Sequence, residues 1–189
     1  MTIVEGLNGY AIGLIDDTSF APNSSDNIIS YGRCYFDNSD LNYLYFSKHG
    51  IILLKNGEIQ NSVCIGASGG KTGIHPTCSV FEENQFLICC SDKIFCLTIP
   101  ELDLFWMTKA DHATCFEIFK IEDDYIIHGE LEISKLDKTG SIVWQFSGPD
   151  IWTTPTGKDE FVINGNEIVS LNWGGGKFTI DAQTGRLIE

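Results

Sequence analysis

Leu136-Asp137-Lys138-Thr139-Gly140-Ser141-Ile142-Val143-Trp144 carries the pattern that sets the architecture of this chain. An apolar residue leads into an Asp, a short polar loop and a Gly, then into a β-branched pair closed by an aromatic. Gly takes φ > 0 without steric cost and Asp can hydrogen-bond its own backbone, so the segment reads as a tight hairpin turn between two strands. The same order occurs at Ile180-Asp181-Ala182-Gln183-Thr184-Gly185-Arg186-Leu187. A looser form runs from Ile99-Pro100-Glu101-Leu102-Asp103 into Phe105-Trp106.

Upstream of each such turn lies a second recurring element, a polar turn followed by an aromatic-led apolar run. Glu82-Glu83-Asn84 precedes Phe86-Leu87-Ile88, Glu122-Asp123-Asp124 precedes Tyr125-Ile126-Ile127, and Lys158-Asp159-Glu160 precedes Phe161-Val162-Ile163. A weaker copy passes through Asp40-Leu41-Asn42, Tyr45-Phe46 and Ile51-Ile52-Leu53-Leu54. The period is roughly 40 residues, with about four strands in each unit. An all-β protein follows, with short antiparallel strands in about four hairpin-type repeats. The turn-and-strand phrases resemble elements of PQQ-type and WD-type β-propeller blades across about residues 40–189. That resemblance implies a β-propeller-like arrangement; the periodicity alone equally allows an open twisted sheet or a sandwich. It implies no cofactor, because scaffolds of this kind host unrelated functions.

One domain over residues 1–189 is expected, with an N-terminal strand and loop in 1–36 and the repeats in 37–189. The polar stretch Thr18 to Asn27 reads as the loop between them. The opening Met1-Thr2-Ile3-Val4-Glu5 lacks a basic run, and Tyr10 to Ile15 is too short for a signal or a span, so a cytoplasmic protein is expected. Seven cysteines, an odd number, fall mostly in apolar strand runs and fit the same reducing setting.

No catalytic or metal-binding signature stands out. Gly66-Ala67-Ser68-Gly69-Gly70-Lys71-Thr72 resembles a phosphate-binding loop, but the first glycine of that pattern is replaced by Ile65, and Gly73-Ile74-His75-Pro76 cannot open the helix that would follow. His75-Pro76-Thr77-Cys78 has ligand-like spacing, yet Cys89 and Cys90 are strand neighbours that point to opposite faces, so no metal is expected. No strand-to-helix elbow marks a nucleophile, and the acidic doublets fall at turns. The expected class is therefore non-enzymatic.

Charge is the remaining clue. Twelve basic against 26 acidic residues give a formal net charge of −14. Such a chain repels nucleic-acid phosphate and anionic membranes, and it attracts basic proteins and speeds their encounter. The candidate partner-binding residues are the carboxylates at repeat turns, Asp111, Glu122, Asp123, Asp124, Asp150, Asp159 and Glu160, with Trp152 as an aromatic anchor. In size, charge and lack of motifs the chain is similar in general character to the immunity proteins that bacteria pair with polymorphic or contact-dependent toxins. That likeness implies an inhibitor covering the active surface of a basic toxin. The alternative is a carbohydrate or small-molecule binding module, using its tryptophans and tyrosines beside carboxylates. Open strand edges also leave room for a homodimer.

Overall fold

The computed structural model describes residues 1–38, 43, 45–157 and 161–188. Among these residues the chain forms sixteen strands in four sheets and no helix. The first sheet contains β1 (Thr2–Glu5), β2 (Tyr10–Asp16), β3 (Arg33–Phe36), β4 (Ser47–Lys55) and β5 (Glu58–Ala67), in the spatial order β1-β2-β4-β5-β3. The second is a meander of β6 (Ser79–Phe81), β7 (Gln85–Cys90), β8 (Lys93–Thr98) and β9 (Leu104–Lys109). The third is another, of β10 (Cys115–Ile121), β11 (Asp124–Gly129), β12 (Glu132–Leu136) and β13 (Ile142–Ser147). The fourth has three strands, β14 (Phe161–Asn164), β15 (Glu167–Leu171) and β16 (Lys177–Asp181), with a single bridge from Ile180 to Leu187 in the fourth place.

The sheets stack side by side like blades, and this explains the continuous apolar runs. Side chains on a strand alternate between faces, so a strand buried on both sides needs no polar residues. In β7, Phe86, Ile88 and Cys90 pack toward the first sheet, while Leu87 and Cys89 pack toward the third. Cys89 and Cys90 thus point opposite ways, as strand neighbours must. In β11, Tyr125 and Ile127 face the second sheet and Ile126 faces the fourth. Among the described residues the buried hydrophobics form three clusters, one for each successive pair of sheets, and none joins the fourth sheet to the first.

The turn at Asp137 to Ser141 is a packing device as well as a reversal. Gly140 has φ of 81°, and a Cβ there would lie 2.5 Å from the ring of Trp106, on the outer strand of the preceding sheet. Gly185, at φ 69°, stands in the same relation to Trp144, with 2.6 Å to the ring. Thr108 Oγ1 donates to the Gly140 carbonyl at 2.6 Å, and Trp144 Nε1 to that of Ala182 at 3.3 Å. Each tryptophan therefore covers the turn of the next blade.

Two sequence expectations require correction. Residues 1–36 do not precede the repeats, because β1 and β2 are the inner strands of the first sheet and β3 is its far edge, paired in parallel with β5. The repeats begin at Thr2. Phe161 opens an innermost strand, whereas Phe86 and Tyr125 lie on second strands. Both kinds of strand follow polar residues in the sequence and open on an aromatic, so local pattern does not distinguish them.

Candidate functional site

Antiparallel strands send the turns of each sheet alternately to two ends. One end, the hairpin face, carries the turns 82–84, 122–123 and 165–166 between first and second strands, and 99–103, 137–141 and 182–186 beyond the third. The opposite connector face carries the hairpins at 91–92 and 130–131 and the sheet-to-sheet connections.

The hairpin face is acidic. Near its centre, β10 lies against β6 and β7, which brings the turns of the second and third sheets together. Lys120 Nζ is 2.7 Å from Glu82 Oε1, Gln85 Nε2 donates to Glu82 Oε2 at 3.0 Å, and the Tyr125 hydroxyl donates to Glu82 Oε1 at 3.1 Å. Burial alone would raise the Glu82 carboxyl pKa, but the hydrogen bonds from Lys120 and Gln85 outweigh it and hold the group below its ordinary value. Burial, then the Glu82 charge, pushes the Tyr125 hydroxyl up. Glu83 stands exposed beside this pair. An open groove of about 610 Å³ runs here, with Leu7 and Phe81 as its apolar side and Glu82, Glu83 and Lys120 as its charged side.

Adjacent to the groove, Glu122 and Asp123 are exposed, and Asp124 pairs with Lys135 at 3.1 Å. Lys135 also donates to Gln183 Oε1 at 3.1 Å, tying the turn of the fourth sheet to this face. Further out, Asp137 and Asp181 each fold back on their turn through one oxygen, accepting from Thr139 and Ser141 and from Thr184 and Gln183 respectively. Those bonds, the threonine hydroxyls first, hold both carboxyls below the ordinary range.

The connector face differs in character. Asp111 is buried, its Oδ1 accepting the amides of Ala113 and Thr114 at 2.5 and 3.0 Å and its Oδ2 those of Leu131 and Glu132 at 2.8 and 2.7 Å. It clamps the connection into the third sheet onto that sheet's central hairpin. Trp152 is also fully buried, between Phe146 and Phe178, with its amide donating to Glu130 O at 2.8 Å. Its carbonyl accepts from His128 Nε2 at 2.6 Å, and His128 Nδ1 faces Glu117 Oε2 at 2.8 Å. Burial would raise the Glu117 carboxyl pKa, but hydrogen bonds from His128 and Thr77 more than offset it.

The candidate set therefore divides. Glu122, Asp123 and Asp124 come together on the hairpin face. Asp150 is exposed on the connector face, where its Oδ1 accepts the amide of Ile151 at 2.9 Å. Asp159 and Glu160 lie outside the described residues. Asp111 and Trp152 are corrections: both are inside the molecule, because a carboxylate with four amide donors and an indole on a sheet junction serve packing. Trp106 and Trp144 are held on turns as well, which leaves Trp173, 50% exposed, as the open tryptophan. The groove beside Glu82 and Glu83 leaves no local mark in the sequence. Its apolar side is Leu7, a hydrophobic residue in the turn before Asn8-Gly9, and only the stacking of the first two sheets brings it near residue 82.

Comparison with solved structures agrees on architecture. The chain superimposes on the computationally designed Ika8 protein with a TM-score of 0.53 and 13% identity, covering 76% of this chain and 45% of that one. It matches BamB from Moraxella catarrhalis with a TM-score of 0.50 and 17% identity over 74% of this chain and 42% of that chain. The designed Ika4 protein gives 0.50 and 14% over 65% and 78%. The chain thus spans less than half of BamB and of Ika8. No family model matches the sequence, and no curated protein does. The fold is all-β and β-propeller-like, an arc of four blades. Among the described residues no helix is long and apolar enough to cross a membrane.

Proposed function

We propose that the protein is a non-catalytic binding module whose hairpin face engages a basic protein, acting as an inhibitor in the manner of an immunity protein that covers a toxin's substrate-holding surface. The observation that carries this reading is the groove lined by Glu82 and Glu83 together with the apolar Leu7 and Phe81, with Glu122 and Asp123 exposed on the turn that follows its Lys120. A patch of this composition offers carboxylates to Lys and Arg side chains and a small desolvated area for an anchor.

Backbone conformation supports it. Glu122 has φ of 54°, in the left-handed region. Corresponding turns of the first and fourth sheets use Asn8 with Gly9, and Gly165, for their positive φ values. Gly or Asn tolerates that region better than Glu does. A carboxylate held there on an exposed turn carries a conformational cost, which fits a role in recognition.

The net charge of −14 strengthens the long-range attraction of a basic partner. Capture of partners from the source cell at about 50 and about 500 mM salt, where the screening length differs several-fold, tests the reading. Expected is one basic protein in near-stoichiometric amount, weakened at the higher salt; recovery of neutral or acidic partners alone, or of none, would contradict it.

A further inference from the structure

The two ends of the arc are finished differently. On the first sheet, residues facing away from the core include Gly13, Gly50 and Gly66, and each is covered by the protein's own chain. A Cβ at these positions would lie 2.7 Å from Met1 Sδ, 2.0 Å from the Tyr31 hydroxyl and 2.6 Å from the Phe36 ring respectively. Lys48 Nζ and the Phe20 carbonyl hydrogen-bond over the same face, and Phe20 is 5% exposed. The segment between β2 and β4 thus closes the first blade.

The fourth sheet has no such cover among the described residues. Ile168, Ser170, Phe178 and Ile180 point toward the third sheet, so the alternate residues point outward. Strand register places Val162 opposite Val169 and Val169 opposite Thr179, and the Ile188 amide donates to the Thr179 carbonyl at 2.7 Å. A row of Val162, Val169, Thr179 and Ile188, apolar but for the threonine hydroxyl, therefore crosses the whole blade, with Val162 43% and Ile188 55% exposed and the two between them part-buried. One step toward the connector face lie Leu171 and Lys177, and one step toward the hairpin face lie Glu167 and Asp181.

We propose that this outer face binds a second copy of the chain in a two-fold dimer. A two-fold axis lying in the face and across the strands sets the apolar row against itself. The same operation places Lys177 of each copy over the Asp181 and Glu167 row of the other. The face is self-complementary in charge, which is what an isologous contact demands. Head-to-tail closure into a ring is blocked, because the first blade is already covered. Four strands about 4.8 Å apart and five residues rising about 3.3 Å each give a face of about 300 Å². That is well below the roughly 800 Å² per partner of a standard-size complex, so the dimer is weak and transient.

Sedimentation equilibrium of the 189-residue chain from about 10 μM to about 1 mM, in about 0.15 M salt, tests this. The average mass should rise from monomer toward dimer. Val169→Arg, Lys177→Glu and Glu167→Lys should each raise Kd about tenfold or more, while circular dichroism shows them folded. Mixing the Lys177→Glu and Glu167→Lys proteins should restore association, because each then supplies the charge that the other lacks. A chain that stays monomeric at the highest concentration overturns the proposal. So does a dimer indifferent to all three substitutions, or a mixture that fails to recover.

Discussion

His49 shows how one buried side chain sets a response to acid. It is fully buried on β4 with neither ring nitrogen hydrogen-bonded, and burial lowers its pKa from the ordinary 6.5 to about 4. The unfolded chain then takes up a proton between these two values while the folded chain does not. Stability is therefore present above pH 6.5 and falls as pH drops toward 4, by up to about 3 kcal/mol. His49→Leu should flatten that limb in urea titrations at pH 7, 5.5 and 4.5. Carboxylates with depressed pKa values, such as Glu82 and Glu117, act in the same direction but only below their unfolded values near 4, so the windows separate. At Asp111 the test concerns role. Asp111→Ala leaves four amides without their acceptor, that of Thr114 buried and three part-buried, and should cost about 2 to 4 kcal/mol in urea unfolding, yet leave partner affinity unchanged under conditions where the variant is folded.

At the scale of the strand and turn, the Asp-to-Gly hairpins join blades through the tryptophan before them. Gly140→Ala combines a left-handed φ with a clash against Trp106, and should destabilise by about 2 to 4 kcal/mol. Gly57→Ala is the control: its φ is 86°, but nothing lies within 4 Å of a Cβ there, so only the backbone term of about 1 kcal/mol remains. Equal losses at the two glycines in thermal or urea unfolding would show that Trp106 contributes nothing to the turn. These hairpins were legible in the sequence because their chemistry is local. Doubly buried runs such as Phe86 to Cys90 were legible for the same reason, since no polar residue interrupts them. The strand β3 was not, because its parallel partner β5 is set by a long connection and not by a neighbouring turn. The innermost position of β14 was hidden too, since first and second strands share one pattern.

Across the whole molecule, the arc of blades divides the acidic turns between two faces, and sequence showed only half of that. Glu122 to Asp124 could be read as a charged turn. That Asp150 and Asp111 leave by the opposite end could not, because the number of strands between turns decides the end. The groove beside Leu7 depends on contact between sheets, which leaves no local mark. The most direct measurement compares two charge-reversed proteins as bait for the basic partner at about 50 mM salt: Glu122→Lys with Asp123→Lys on the hairpin face, and Asp16→Lys with Asp150→Lys on the other. Both pairs change net charge equally, so long-range attraction falls alike. Loss of the partner from the first bait with retention on the second is the result expected; equal capture by both, or loss from the second alone, would contradict binding through the hairpin face.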